Sequence, residues 1–377
     1  MIFAKMEIIN FDNNATTKVS EAVLAKMLEV YKFSYNPSST HTLGRRAAMM
    51  VEGARQDLSD VLNAANYEIF FTSGGTEANN MALFGDNYDA ILYTKIEHSS
   101  VYNTRPKGCK IIEFGVNKDG VVDLADLEKN LEECKGKNFL VSIMHANSET
   151  GAIQPIKEAA KLVHQKGGLI HSDMVQAFGK IAVDLEDLNV DFATVSSHKI
   201  NGPQGAGAIF VRRGLDIQPI IFGGGQESGK RSGTVNVAGV VAFGEATCHV
   251  NEKIVKMEEV RKLRDFIEAE VKKIAGDNIM FFSQTVDRSP NTSFMALKNA
   301  NSQTKMIHFD LNKIMVSAGS ACSSGSVKPS RVLESMNVAP EFLNGLRISL
   351  CPDNTKAEAE RFIAAFRELY EKVKLNF

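Results

Sequence analysis

The feature that most constrains this chain is a recurring change from an apolar run, through a glycine or polar turn, into a helical pattern. "YEIFFTSGGTEANNMALFG" makes that change once, and "DAILYTKIEHSSVYN" makes it again. Further on, "KNFLVSIMHANSETG" reads as a buried strand and "IKEAAKLVHQKG" as an amphipathic helix stopped by Gly167. "GLIHSDMVQAFG" reads as the next strand. Such a βαβ rhythm predicts an α/β fold with a mostly parallel sheet covered by helices, and ligands gathered in loops at the carboxyl ends of the strands.

At 377 residues the chain exceeds what one core usually organises, so two domains are expected. After about residue 240 the rhythm gives way to a long charged helical stretch, "GEATCHVNEKIVKMEEVRKLRDFIEAEVKKIA", followed by "NTSFMALKN", "GLRISLC" and a terminal helix. This predicts a large domain over 18–250 and a smaller α+β domain built from 1–17 and 251–377. A net charge of -2 offers no basic field for nucleic acid or an anionic membrane as main partner. No secretory signal and no apolar run of membrane-spanning length are read. The five cysteines lack CxxC spacing, which argues against a disulfide framework or a metal site and favours a reducing cytoplasm. Cys248 and Cys351 lie in apolar stretches and read as small core residues.

Several residues at strand ends carry chemistry. Lys199, in "VSSHKINGPQGAGAIFV", lies in a turn between two apolar runs, where partial desolvation favours a neutral amine able to form a Schiff base. Asp173 and Gln176 follow a strand in "HSDMVQAFG", where a carboxylate could pair with a protonated pyridine nitrogen. Gly75 and Thr76, in "TSGGTEANN", sit at a helix start suited to a phosphate. His98, in "KIEHSSV", could stack on a planar cofactor or move a proton. Taken singly, each has an ordinary reading: a surface lysine, a helix-capping aspartate, a capped helix start and a packed histidine. Cys322 lies in "SAGSACSSGS", among residues too small and polar to pack around it.

The ordered set "FDNNATT", "NPSSTHTLGRRA", "TSGGTEANN", "HANSETGAIQPI", "HSDMVQAFGK", "SSHKINGPQGAGAIFVRR", "FGGGQESGKRSGTVNV", "SAGSACSSGS" and "LRISL" resembles the NifS/IscS-type cysteine desulfurases of the class V aminotransferase family, over nearly the whole chain. The resemblance implies a homodimeric fold-type I pyridoxal 5'-phosphate enzyme. Such an enzyme takes sulfur from L-cysteine, leaving L-alanine and a persulfide on a catalytic cysteine. By motif, Lys199 resembles the Schiff-base lysine, Asp173 the pyridinium partner and Gln176 the group bonded to the cofactor's phenolic oxygen. His98 would stack on the ring, and Asn147 would contact cofactor and substrate. Thr76, Ser196 and His198 would hold the phosphate, with Thr234 reaching it from the partner subunit. Arg347, in "GLRISL", matches the clamp on the substrate carboxylate, and Cys322 matches the nucleophile.

The longer cysteine loop resembles the group that passes sulfur to iron–sulfur scaffold proteins. Ser148 and Asn201 depart from the common pattern, which often has a second asparagine and an aromatic residue there. A selenocysteine lyase or another β-eliminating enzyme would use much the same residues. A Rossmann dehydrogenase would need a GxGxxG that the first turn lacks.

Overall fold

The computed structural model describes residues 7–33, 35–319 and 329–374. Twelve strands occur among them: β1 (Ile9–Asn10), β2 (Tyr67–Thr72), β3 (Ala90–Thr94), β4 (Lys110–Phe114), β5 (Phe139–Ser142), β6 (Leu169–Asp173), β7 (Phe192–Ser196), β8 (Gly207–Arg212), β9 (Ile279–Phe281), β10 (Thr292–Leu297), β11 (Ile314–Met315) and β12 (Gly345–Ser349). Seven form the main sheet, in the order β2-β8-β7-β6-β5-β3-β4. Neighbours from β7 through β6, β5 and β3 to β4 run parallel, whereas β8 is antiparallel to both β2 and β7.

The expected largely parallel sheet is therefore present with one reversed strand. Only a short turn separates β7 from β8, and that turn carries Lys199. A reversal there needs no crossover helix. The strands β3, β5 and β7 are buried at every position, which is why they read as unbroken apolar runs. Helix Ile156–Gln165 buries Ile156, Ala159, Ala160 and Val163 on one side, and the chain leaves it through Gly167 at φ +78°.

A second core gathers Ile9, Phe11, Met257, Ile267, Leu346, Phe309 and Phe362, with the last two rings stacked at 4.8 Å. It is built on the three-stranded sheet β12-β10-β9 and the pair β1-β11. The closing helix Lys356–Val373 starts from a capping box in which Thr355 and Glu358 satisfy each other's backbone N–H groups.

The charged stretch expected as one helix is two, Val237–Cys248 and Val250–Ala275, joined at His249. The first buries Val240, Ala242, Phe243 and Ala246 in the main core, while the second buries Met257, Val260 and Ile267 in the other. The break falls where the chain passes from one core to the other. Cys248, at the end of the first helix, is exposed rather than a core residue, and Cys351 is only partly buried. Among the described residues no helix is long and apolar enough to cross a membrane.

Candidate active site

The turn after β2 opens helix Gly75–Phe84. Gly74 adopts φ +152°, and a Cβ on Gly75 would fall 2.8 Å from Val175 Cγ2. Only glycines let the backbone pass there. Its N-cap, Gly74, supplies no side-chain cap, so among the described residues the first N–H groups and positive dipole end stay open. Thr76, in its first turn, is exposed. Ser196, at the end of β7, has a buried Oγ without a partner among the described residues, and a Cβ built on Gly74 would lie 3.9 Å from that oxygen.

His198 follows, its Nδ1 3.2 Å from Thr16 Oγ1. Burial, then Lys199 and Lys180, pushes its imidazole down to about 4, leaving it neutral. Glu77, the acid nearest this helix start, is paired with Arg231 Nε at 2.7 Å, which offsets its repulsion of an anion. The place therefore suits a phosphate without requiring net basic charge.

Next to it runs a chain of hydrogen bonds between two strand ends. Asp173, closing β6, accepts from Asn79 Nδ2 at 2.7 Å and from Val175 N at 3.0 Å. Asn79 Nδ2 also reaches Ser100 Oγ at 2.8 Å, and that hydroxyl lies 2.7 Å from His98 Nδ1. His98 itself caps helix Ser99–Tyr102 and keeps its ring exposed. The ordinary capping role and the candidate site role thus fall on the same residue.

Lys199 sits on a single 3-10 turn and donates to the carbonyls of Asn14 at 2.5 Å and Ala15 at 2.7 Å. Burial, reinforced by Arg347, pushes its amine down to about 8, against the opposing pull of Asp12 and Asp173. Asn14 is the hub around it. Its carbonyl also accepts from Gln176 Nε2 at 3.0 Å, and its Oδ1 accepts from Lys180 Nζ at 2.7 Å and Asn291 Nδ2 at 3.0 Å. Its Nδ2 donates to Thr292 Oγ1 and to the Ser148 carbonyl.

Arg347, on β12, donates from Nη2 to Asp12 Oδ1 at 2.7 Å and from Nη1 to the Ser148 carbonyl at 2.9 Å, while its buried Nε has no partner among the described residues. The guanidinium thus lies beside Asn14 and close enough to Lys199 to depress it. Asn147, named by motif as a cofactor and substrate contact, holds a tight turn. Its Oδ1 accepts from the N–H groups of Glu149 and Thr150, its Nδ2 donates to the Ile96 carbonyl, and it is 1% exposed. It fixes the turn that presents Ser148.

Thr234 lies exposed on the loop before Val237, three residues after the Arg231 that pairs with Glu77. Cys322 lies outside the described residues. The flanking positions are described: buried Glu149 accepts from Ser330 Oγ at 2.5 Å, and a Cβ on Gly319 would come within 2.8 Å of Glu149 Oε2.

Lys199, Asp173, Gln176, His98, Ser196, His198 and Arg347 therefore converge from the ends of β3, β6 and β7 and from β12, and so from both cores. Reading the sequence did not single out Asp12, Asn14, Asn79, Lys180 or Glu149. The polar run "DNNATT" directly after the apolar "IINF" was the one local sign for the first two.

Residues 9–362 match the family Aminotransferase class-V. The chain is 37% identical to "Cysteine desulfurase" of Trichormus azollae, with 98% of this chain and 94% of that protein covered. It is 36% identical to "Cysteine desulfurase IscS" of Dictyoglomus turgidum, covering 97% and 95%. Among solved structures, a NifS-like protein from Rickettsia africae superposes with a TM-score of 0.90 at 37% identity, covering 97% of this chain and all of that one.

Proposed function

We infer that this chain, which belongs to the aminotransferase class-V family, is a pyridoxal-phosphate-dependent cysteine desulfurase that converts L-cysteine to L-alanine and keeps the sulfur on Cys322 as a persulfide. The observation that carries this reading is Lys199: a half-buried lysine bonded to two carbonyls rather than to a carboxylate, its amine pushed down to about 8, with Asp173 and the Ser196 hydroxyl, unpartnered among the described residues, around it. That set fits a phosphorylated pyridine aldehyde. Ser196, His198, Thr76 and the N–H groups after Gly74 would hold its phosphate, Asp173 its ring nitrogen, Gln176 its phenolic oxygen and Lys199 its aldehyde carbon. When bound, the cofactor supplies an electron-withdrawing ring that makes the substrate's α-proton and its C–S bond labile.

The chain's own groups then have separable tasks. Arg347 orients the substrate through its carboxylate, using the parallel donors of a guanidinium. Lys199 Nζ, once free, is an amine that can take up and return a proton near neutral pH. His98, exposed at the end of β3, is placed to cover one ring face. The thiolate of Cys322 attacks the substrate sulfur. The S–S bond forms as the C–S bond breaks, and the carbon takes a proton to give alanine, so no outside oxidant or reductant is needed.

A solved relative that is 28% identical, with a TM-score of 0.78, is described as "SspA in complex with cysteine", which supports the choice of substrate. The persulfide would pass to an acceptor protein, with an iron–sulfur scaffold as the expected partner, in a cytoplasmic setting that keeps the thiols reduced. The two cores correspond to two domains that meet at Asn14.

The working unit would be a homodimer. Helices Glu21–Tyr31 and Thr42–Val61 expose Leu24, Leu28, Tyr31, Leu43 and Met49, and beside them lies a cavity of about 270 Å³ lined by Val30, Phe33, Met50 and Val237. Val235 and Asn236 line the same cavity, which puts Thr234 beside the apolar face, as a residue serving the partner's site requires.

The test is to mix the purified protein with L-cysteine without reductant and to read intact mass and released alanine together. A gain of one sulfur that maps to Cys322, matched by alanine and absent in Cys322→Ala, supports the reading. Cofactor-loaded protein that yields neither would overturn it.

A further inference from the structure

Lys180 is a second lysine at this site, and the chemistry above gives it no task. It follows Gly179, at φ +77°, and is 3% exposed. Its Nζ donates to two amide oxygens, Asn14 Oδ1 at 2.7 Å and Gln176 Oε1. The charged groups that act on it are Lys199, Lys253 and Arg347, all cations, and together with burial they push its amine well below the ordinary lysine range. A buried amine among cations is costly to keep, so its contacts call for an explanation.

The hydrogen-bond count at Gln176 supplies one. A carboxamide has two N–H donors on nitrogen and acceptor sites on oxygen. Gln176 Oε1 is taken by Lys180, and one N–H of Nε2 is taken by the Asn14 carbonyl, which can only accept. Both contacts demand the same orientation of the amide, and they leave one N–H unused. Were Lys180 an apolar residue, Oε1 would lose its donor and the amide could turn. A phenolate facing it would then meet an oxygen in place of an N–H.

We propose that Lys180 is a positioning residue that holds the Gln176 amide with its free N–H toward the cofactor's phenolic oxygen. The proposal rests on the cofactor reading given above. Its mark is spectroscopic. An N–H donated to the phenolate draws on its charge and weakens its hold on the neighbouring nitrogen-bound proton that gives the yellow colour, so losing it raises the pH midpoint at which the yellow absorbance fades.

The experiment compares that midpoint in the pyridoxal-phosphate-loaded wild type, Lys180→Met, Gln176→Leu and the double variant. Each single variant is expected to raise the midpoint by about one unit or more, and the double variant to sit where Gln176→Leu does, because Lys180 acts through Gln176. Shifts that add in the double variant, or no shift in Lys180→Met, overturn the proposal.

If Lys180→Met does not fold, Gln176→Glu in the cofactor-free protein decides. With the Lys180 amine aimed at the side-chain oxygen of position 176, a carboxylate there gains a partner, and the thermal midpoint should lie at or above that of Gln176→Leu. A midpoint below Gln176→Leu would show that Lys180 does not serve that oxygen. A wild type that never turns yellow with pyridoxal phosphate would refute the cofactor reading itself, and the Gln176→Glu comparison would still judge the Lys180 contact.

Discussion

Arg347 and Asp12 form an ion pair at 2.7 Å across 335 residues of sequence, and the arginine's other terminal nitrogen holds the Ser148 carbonyl. The guanidinium is only 5% exposed, so its direction is set before any substrate arrives. Asp12 occupies the donor that a substrate carboxylate would take, and it is the more exposed partner of the pair.

The first prediction concerns that clamp. Arg347→Ala should raise KM for L-cysteine by about tenfold to a hundredfold, the worth of one or two charge-assisted hydrogen bonds, with a smaller fall in kcat. Arg347→Lys should not restore KM, because an ammonium lacks the paired parallel donors. Steady-state kinetics with L-cysteine check this, and a KM within twofold of wild type in Arg347→Ala would remove the clamp.

Lys199 makes a prediction about pH. Its amine titrates near 8 in the folded protein, against an ordinary 10.5. Between those values the unfolded chain binds a proton that the folded chain does not, so the cofactor-free protein gains stability as pH rises through that window. Lys253, also pushed down to about 8 by burial, adds a share of its own. Denaturant midpoints at about pH 7.5 and about pH 9.5 should therefore rise with pH in the wild type and rise less in Lys199→Met. Lys199→Ala should lose both the yellow colour and turnover. An equal rise in wild type and Lys199→Met would mean the amine titrates normally.

Gly319 is the last described residue before the segment carrying Cys322. It sits at φ +93°, and an added Cβ would meet Glu149 Oε2 and the Phe294 ring at 2.8 Å. Gly319→Ala should cost about 1–3 kcal/mol through backbone strain and overpacking, seen as a lower thermal midpoint. Sulfur transfer should fall further than stability explains, while the yellow colour persists. An unchanged midpoint would show that the backbone there relaxes freely.

The apolar face on helices Glu21–Tyr31 and Thr42–Val61 can be tested by charge. Leu28 and Met49 are 55% and 68% exposed, so Leu28→Glu and Met49→Glu should cost the isolated subunit little. In a dimer that buries this face they should shift the mass in solution toward the monomer and lower turnover, since Thr234 directly precedes Val235 and Asn236, which line the same cavity. Light scattering that shows the wild-type mass in both variants would place the dimer contact elsewhere.

What was legible in the sequence is what local pattern encodes. Buried strands show as apolar runs, and the polar residue that ends each one, such as Asp173 or Ser196, marks the edge where ligands gather. The helix stop at Gly167 and the glycine turn before Thr76 are similarly local. Asn14 has no such signature. It matters because its atoms meet partners 134 to 335 residues away, and nothing in "FDNNATT" announces them. Asn147 was named by motif as a cofactor and substrate contact, and its hold on a tight turn, which needs an acceptor for its N–H groups, had no local sign. The break at His249 escaped notice since both of its flanks read as helix, and only packing against different cores separates them.

The long span between Asn14 and its partners also bears on how the protein is made. Asn14 N bonds to Ser349 Oγ, a residue synthesised 335 positions later. The main sheet can be complete through β8 while the amine of Lys199 still lacks the N-terminal carbonyls in their final place, because those are pinned by β10 and β12. A nascent chain would thus carry a folded sheet and an open site until β10 and β12 have emerged. Competence to retain a cofactor should then arrive in one late step rather than gradually.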